Sequence, residues 1–155
     1  MLPGVFLAAL LLQTLAPAPP AVQRVTVVTG VSAERAAAGG AASLWVDVVP
    51  KAGIHVYAPG AKGFDAVVLF VAPRTGMTFG KAQYPAGEPM ASPGTTERVP
   101  VYTKMFRITQ PVTLARTVKS GEDLLVSGAV RYQACDDRLC YPTASIPVSW
   151  IVRMR

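Results

Sequence analysis

Apolar residues in this chain recur at every second position, and that period restricts the folds open to it. In Ser43-Leu44-Trp45-Val46-Asp47-Val48, the side chains of Leu44, Val46 and Val48 share one face. Leu124, Val126, Gly128, Val130 and Tyr132 do the same, as do Ile146, Val148, Trp150 and Val152. Successive side chains of a strand point to opposite faces, so this alternation describes strands with one side buried and one in water. Further strands are expected over Arg24–Thr29, Ile54–Ala58, Val67–Val71, Met77–Tyr84, Met105–Thr109 and Val112–Thr117. Turn-forming stretches separate them, among them Pro50-Lys51-Ala52-Gly53, Ala58-Pro59-Gly60, Pro73-Arg74-Thr75-Gly76 and Ser120-Gly121. No segment carries the 3.6-residue apolar period of an amphipathic helix. Roughly seven to nine short strands at this spacing predict an all-β fold, an antiparallel immunoglobulin-like β-sandwich.

The stretch from Pro85 to Pro100 breaks the rhythm with four prolines and no alternation. It is expected to be a surface loop, and loops of that length are often functional. Length and composition admit one domain with a real core: 155 residues, 51% hydrophobic and 15% charged. The formal net charge of +6 comes from scattered Lys and Arg rather than a basic run or helix, which argues against a nucleic-acid partner.

The N-terminus reads as a targeting segment. Val5-Phe6-Leu7-Ala8-Ala9-Leu10-Leu11-Leu12 is followed by small residues and prolines up to Ala21. The run is too short for a bilayer-spanning helix, which needs about 20 apolar residues, but it has the length of a signal-peptide core. The expected organisation is therefore residues 1–21 as a signal peptide or targeting segment and 22–155 as the folded domain. The domain should be periplasmic or otherwise exported, with no membrane span after signal removal.

The chain has two cysteines, Cys135 and Cys140, in Tyr132-Gln133-Ala134-Cys135-Asp136-Asp137-Arg138-Leu139-Cys140-Tyr141-Pro142. In an exported protein they are expected to form a disulfide. The geometry is reasonable if the Cα atoms come within about 7 Å. A structural bridge is one reading. Against it, closing so short a loop stabilises a chain by only about 2 kcal/mol, and the charged neighbours Asp136, Asp137 and Arg138 suggest an exposed, labile bridge. A metal site of Cys135, Cys140 and His55 has no evident fourth ligand and no common zinc spacing. A single His leaves no credible Ser-His-Asp set, and no phosphate-binding glycine motif is present. No cofactor and no metal are expected.

The dithiol segment resembles the active-site strand and loop of the N-terminal periplasmic domain of the DsbD thiol:disulfide interchange family. Weaker similarities are Gly53-Ile54-His55-Val56-Tyr57-Ala58-Pro59-Gly60, Thr78-Phe79-Gly80-Lys81-Ala82-Gln83-Tyr84-Pro85 and Ile108-Thr109-Gln110-Pro111-Val112-Thr113. The resemblance implies an immunoglobulin-like fold and a role in thiol–disulfide exchange. Reducing equivalents would come from a thioredoxin-like donor and pass to disulfide-bonded exported acceptors, making the chain a component of a protein-disulfide reductase. It implies that Cys140 forms mixed disulfides with partners and that Cys135 resolves them. It places His55 and Tyr57 beside the dithiol and Tyr141 against the sulfur. The family's full-length protein continues into a membrane electron carrier and a thioredoxin-like domain; with this sequence ending at Arg155, the donor is expected to be a separate molecule.

The family shields its dithiol with a cap loop bearing an acidic pair and an aromatic. The corresponding region is read as Thr95–Tyr102, which keeps Glu97 but has no Phe, leaving Val99, Val101 or Tyr102 as the shield. Part of Pro85–Tyr102 is therefore expected to cover the dithiol. With no helix expected after Cys140 to stabilise a thiolate, and with Asp136 and Asp137 nearby, a slow attacking thiol is predicted. The alternative function is an immunoglobulin-like binding or assembly module with a structural disulfide.

Overall fold

The computed structural model describes residues 22–91 and 96–155. The expected targeting segment, 1–21, lies outside the described residues, as does the tip of the 85–100 stretch. Among the described residues there are eleven strands and no helix. The architecture is the antiparallel immunoglobulin-like β-sandwich that the alternation predicts.

One sheet is ordered β1 (Val25–Val31), β2 (Ala41–Pro50), β8 (Phe106–Leu114), β5 (Met77–Phe79). A second is ordered β11 (Ala144–Arg153), β9 (Asp123–Tyr132), β4 (Val68–Val71). Their inward residues form the main core: Leu44, Val46 and Val48 of β2, Ile108, Val112 and Leu114 of β8, Val126, Val130 and Tyr132 of β9, and Ile146, Val148 and Trp150 of β11. Each set follows its strand's period of two, so the expected inward faces are the observed ones. Polar tips of the core aromatics are used rather than wasted: Trp150 Nε1 donates to the Trp45 carbonyl at 2.9 Å, and Tyr132 Oη accepts from Arg24 N at 3.1 Å. At Gly128 the face carries no side chain, because an added Cβ would lie 2.3 Å from the Phe70 carbonyl oxygen and 3.0 Å from the Trp150 ring.

Two expected strands, Met105–Thr109 and Val112–Thr117, are one continuous β8. Pro111 lies between them and cannot donate to a ladder. Thr109 exchanges both backbone bonds with Gln83, and the Pro111 carbonyl accepts from Gly80 N, so these odd-numbered residues turn their backbone toward β5. β5 itself ends at Phe79, shorter than the expected Met77–Tyr84. The missing N–H of Pro111 thus falls where its neighbour strand has left the ladder. The buried Gln110 side chain bridges the gap, donating to the Gly80 carbonyl at 2.6 Å.

The third sheet, ordered β10 (Ala134–Cys135), β3 (His55–Tyr57), β7 (Arg98–Tyr102), β6 (Glu88–Ala91), corrects the expectation of an irregular loop over Pro85–Pro100. Residues 88–91 and 98–100 of that stretch belong to an antiparallel pair in which Pro89 sits opposite Pro100. Prolines hid the strands, yet Pro89 is tolerated because β6 is the sheet edge.

Candidate functional site

The third sheet builds the site through its alternation. Ala134 pairs with Val56, and Val56 with Tyr102; these three side chains join the main core. The intervening positions face the other way. Cys135 pairs with His55, and Tyr57 with Val101. Tyr57, Val99, Val101 and Cys135 form a second, smaller apolar cluster. His55 and Tyr57 are therefore brought to the cysteine face by register alone.

Cys135 and Cys140 are joined in a disulfide with a Cα–Cα distance of 4.0 Å. The intervening residues make a tight hairpin: Asp136 N donates to the Leu139 carbonyl at 3.0 Å, and Tyr141 N to the Ala134 carbonyl at 2.9 Å. Asp136 is the centre of this turn. Its Oδ1 accepts from Arg138 N at 2.8 Å and Leu139 N at 2.9 Å, and its Oδ2 accepts from the Tyr141 hydroxyl. These donors, the Tyr141 hydroxyl first, hold the Asp136 carboxyl down at about 2. The two sulfurs differ in access: Cys135 is 1% exposed, whereas Cys140 is exposed at the surface.

A cleft of about 280 Å³ opens at the disulfide, lined by His55, Tyr57, Phe64, the two cysteines and the 136–139 turn. The Tyr57 hydroxyl lies 3.5 Å from Cys135 Sγ and 3.7 Å from Cys140 Sγ and, with both sulfurs bonded, is the donor to them. Burial pushes the Tyr57 phenol up, keeping it protonated and able to donate. Burial pushes His55 down, more than Asp137 and Asp136 raise it, so its neutral form is favoured. Among the described residues, no group of three or more His, Cys, Asp or Glu side chains is placed to hold a metal ion.

Three expected neighbours lie elsewhere. Tyr141 does not rest on the sulfur. It follows Cys140 in an extended segment, so its side chain turns to the opposite side, where it packs on the main core beneath the Arg24 guanidinium, 3.2 Å from the ring centroid. Tyr102 stacks on Phe106 at 3.8 Å between centroids, and its hydroxyl donates to the Pro85 carbonyl at 2.6 Å. Burial, aided by Tyr84, pushes its phenol up to about 12. Glu97 borders a depression with Gly60 and Lys62 and does not line the cleft.

The cover is also redistributed. From β7, Val99 and Val101 pack in the cluster that holds Cys135, so this part of the 85–102 region does touch the dithiol from its buried side. The aromatic on the open side is Phe64, whose ring stacks on Tyr57 with centroids 4.0 Å apart. It comes from the segment between β3 and β4, which the search for alternation passes over. The available signal was a lone aromatic after Gly60 and Gly63, both of which adopt positive φ.

Fold and site together describe an immunoglobulin-like sandwich with a surface-accessible disulfide hairpin under an aromatic. The chain belongs to the family described as thiol:disulfide interchange protein DsbD, N-terminal, whose model matches residues 25–147. No curated protein matches the chain in sequence. Among solved structures, it is similar to the N-terminal periplasmic domain of ScsB from Proteus mirabilis, with 13% identity and a TM-score of 0.46 over 81% of this chain and 44% of that one. It is also similar to a family 123 glycoside hydrolase from Clostridium perfringens, with 8% identity and a TM-score of 0.33 over 84% of this chain and 28% of that one. The chain thus spans less than half the length of either structure.

Proposed function

We propose that this chain is an exported thiol–disulfide exchange domain that passes reducing equivalents from a thioredoxin-like donor to disulfide-bonded partner proteins. The observation that carries the reading is the asymmetry of the bridge: an exposed Cys140 sulfur bonded to a buried Cys135 sulfur at the floor of an aromatic cleft.

An incoming thiolate can reach only the exposed sulfur. A donor dithiol attacks Cys140 Sγ, and the Cys135 sulfur leaves with the bonding electron pair. The donor's second thiol then resolves the mixed disulfide, leaving the donor oxidised and this domain reduced by two electrons. In the second half, the Cys140 thiolate attacks a partner disulfide and one partner sulfur leaves. The Cys135 thiolate then attacks Cys140 Sγ, which restores the bridge and releases the partner with both of its sulfurs reduced. The Tyr57 hydroxyl supports the sulfur that leaves, because a hydrogen bond to a thiolate is stronger than one to a neutral sulfur. No helix N-terminus lies at either cysteine, so the domain lacks the usual device for a strongly acidic thiol, and its exchange should depend on a partner's own reactive cysteine.

The location that goes with this reading is the periplasm or another exported compartment. Disulfides persist in oxidising surroundings, and Val5–Leu12 has the length of a signal-peptide core. No helix among the described residues is long and apolar enough to cross a membrane. Residues 22–155 would then be the exported domain.

A redox titration of the purified domain tests the proposal. A potential within the range of known exchange proteins, roughly −120 to −270 mV, supports transfer. A potential below about −300 mV would instead make the bridge structural and the domain an immunoglobulin-like binding or assembly module.

A further inference from the structure

We infer that Asp136, Tyr141 and Arg24 form a brace behind the hairpin that keeps Cys135 within bonding reach of Cys140 once the bridge is open, and so sets how fast a mixed disulfide is resolved. The inference rests on the exchange reading of this site. Cys140 is already exposed, so access to it needs no device. Resolution does, because no bond joins the two sulfurs while a partner is attached to Cys140. After Cys140 the chain enters no further named strand until β11 begins at Ala144. If that arm drifted, Cys135 would meet its target rarely. Held in place, Cys135 attacks as an intramolecular neighbour at high effective concentration.

The brace makes its bonds without the sulfurs. Asp136 Oδ1 accepts from Arg138 N at 2.8 Å and from Leu139 N at 2.9 Å, which closes the turn. Its Oδ2 accepts from the Tyr141 hydroxyl. Asp136 follows Cys135 and Tyr141 follows Cys140, so this bond joins the two arms one residue beyond the disulfide on each. Tyr141 is fixed in turn: its ring packs on the main core beneath the Arg24 guanidinium, 3.2 Å from the ring centroid. Arg24 is anchored through its backbone, its N–H donating to Tyr132 Oη at 3.1 Å and its carbonyl accepting from Lys51 N at 3.0 Å. Arg24 and Tyr141 border a depression of their own, and neither lines the disulfide cleft, so a partner can occupy the cleft with the brace intact. The brace then serves the resolving step: the Cys135 thiolate attacks Cys140 Sγ, the Cys140–partner bond breaks, and the partner sulfur leaves with the electron pair. Asp136, Tyr141 and Arg24 are positioning residues, acting on the sulfurs through the hairpin backbone.

The test is the reaction of the reduced full chain with one equivalent of dithiobis(nitrobenzoate), an aromatic disulfide that stands in for the partner. Cys140 attacks first and releases one coloured thiolate in a bimolecular step. Cys135 then closes the bridge and releases the second in a first-order step. Asp136→Ala should slow the second release about tenfold, the scale of the charge-assisted hydrogen bonds it removes. Asp136→Asn carries the same charge as the alanine variant but keeps an acceptor for the two amides. It should close near the parent rate, which separates the brace from the charge. Tyr141→Phe should slow closure about three-fold and Arg24→Gln about two-fold. Adding Tyr141→Phe to Asp136→Ala should change nothing further, because the hydroxyl has already lost its acceptor. With opening unchanged, tenfold slower closure makes the reduction potential of Asp136→Ala about 30 mV less negative than the parent's. Closure as fast in Asp136→Ala as in the parent, an Asp136→Asn variant as slow as Asp136→Ala, effects that multiply in the double variant, or a potential that does not move overturns the brace. The exchange reading stands on the absolute potential of the parent and the brace on ratios among variants, so either can fail without the other.

Discussion

Reduction of the Cys135–Cys140 bridge should leave the domain folded and only modestly less stable. The bridge closes a loop of six residues, counting both cysteines. Chain-entropy arithmetic for a loop of that size gives a stabilisation of about 2 kcal/mol. The structure supplies reasons for the hairpin to survive without it: the Asp136–Leu139 and Tyr141–Ala134 backbone bonds, and the Asp136 side chain on Arg138 N, Leu139 N and the Tyr141 hydroxyl. Moreover, the main core draws on β2, β8, β9 and β11 and includes neither cysteine. For a domain of this size, 1 kcal/mol corresponds to roughly 3–5 °C in Tm, so the reduced form should melt about 6–10 °C below the oxidised form. The same 2 kcal/mol, carried round the thermodynamic cycle, lowers the potential of the bridge in the folded domain by about 45 mV relative to the unfolded chain. Differential scanning calorimetry of the oxidised domain, the domain held in excess phosphine reductant, and the Cys135→Ala/Cys140→Ala variant provides the comparison. A reduced domain that is unfolded at 25 °C, or that melts more than about 25 °C lower, would refute the reasoning and make the bridge a staple of the fold.

Three further outcomes are expected. Cys140→Ser should abolish the trapping of mixed disulfides with a thioredoxin-like donor, whereas Cys135→Ser should let them accumulate; the reverse pattern on non-reducing gels would exchange the two roles. Gly128→Ala should cost about 2–3 kcal/mol in urea unfolding, because the new Cβ meets the Phe70 carbonyl at 2.3 Å and β9 is held between β4 and β11, while Ser127→Ala on the exposed side should change stability by less than about 0.5 kcal/mol. The Asp136 carboxyl is depressed in the folded state to about 2, so its contribution to the hairpin is complete above the ordinary carboxylate value and is lost as pH falls toward about 2. The protection factors of the Arg138 and Leu139 amides, corrected for intrinsic exchange, should therefore fall over that window, and Asp136→Ala should abolish that fall; flat protection from pH 5 down to 2 would refute the assignment.

Much of this protein was determined by its sequence alone. The inward faces of β2, β9 and β11, the all-β class and the pairing of the two cysteines follow from a period of two and from one dithiol segment, and both are local properties. Where the reading failed, a local signal met a non-local partner. Separate strands are expected on either side of Pro111, yet β8 runs through it because the neighbouring strand has departed at that point. The prolines of residues 85–100 read as a loop, yet β6 can occupy a sheet edge where a missing donor costs little. The family resemblance puts Tyr141 against the sulfur, but an extended chain turns neighbouring side chains to opposite faces. Phe64 lies about seventy residues from the cysteines in sequence, with no alternation to mark it. Only the tertiary structure decided that this loop, rather than residues 95–102, sets its aromatic at the cleft. Which loop lies over a hairpin depends on how the third sheet orders β10, β3 and β7, and that order is fixed by long-range pairing and burial rather than by the residues of the loop itself.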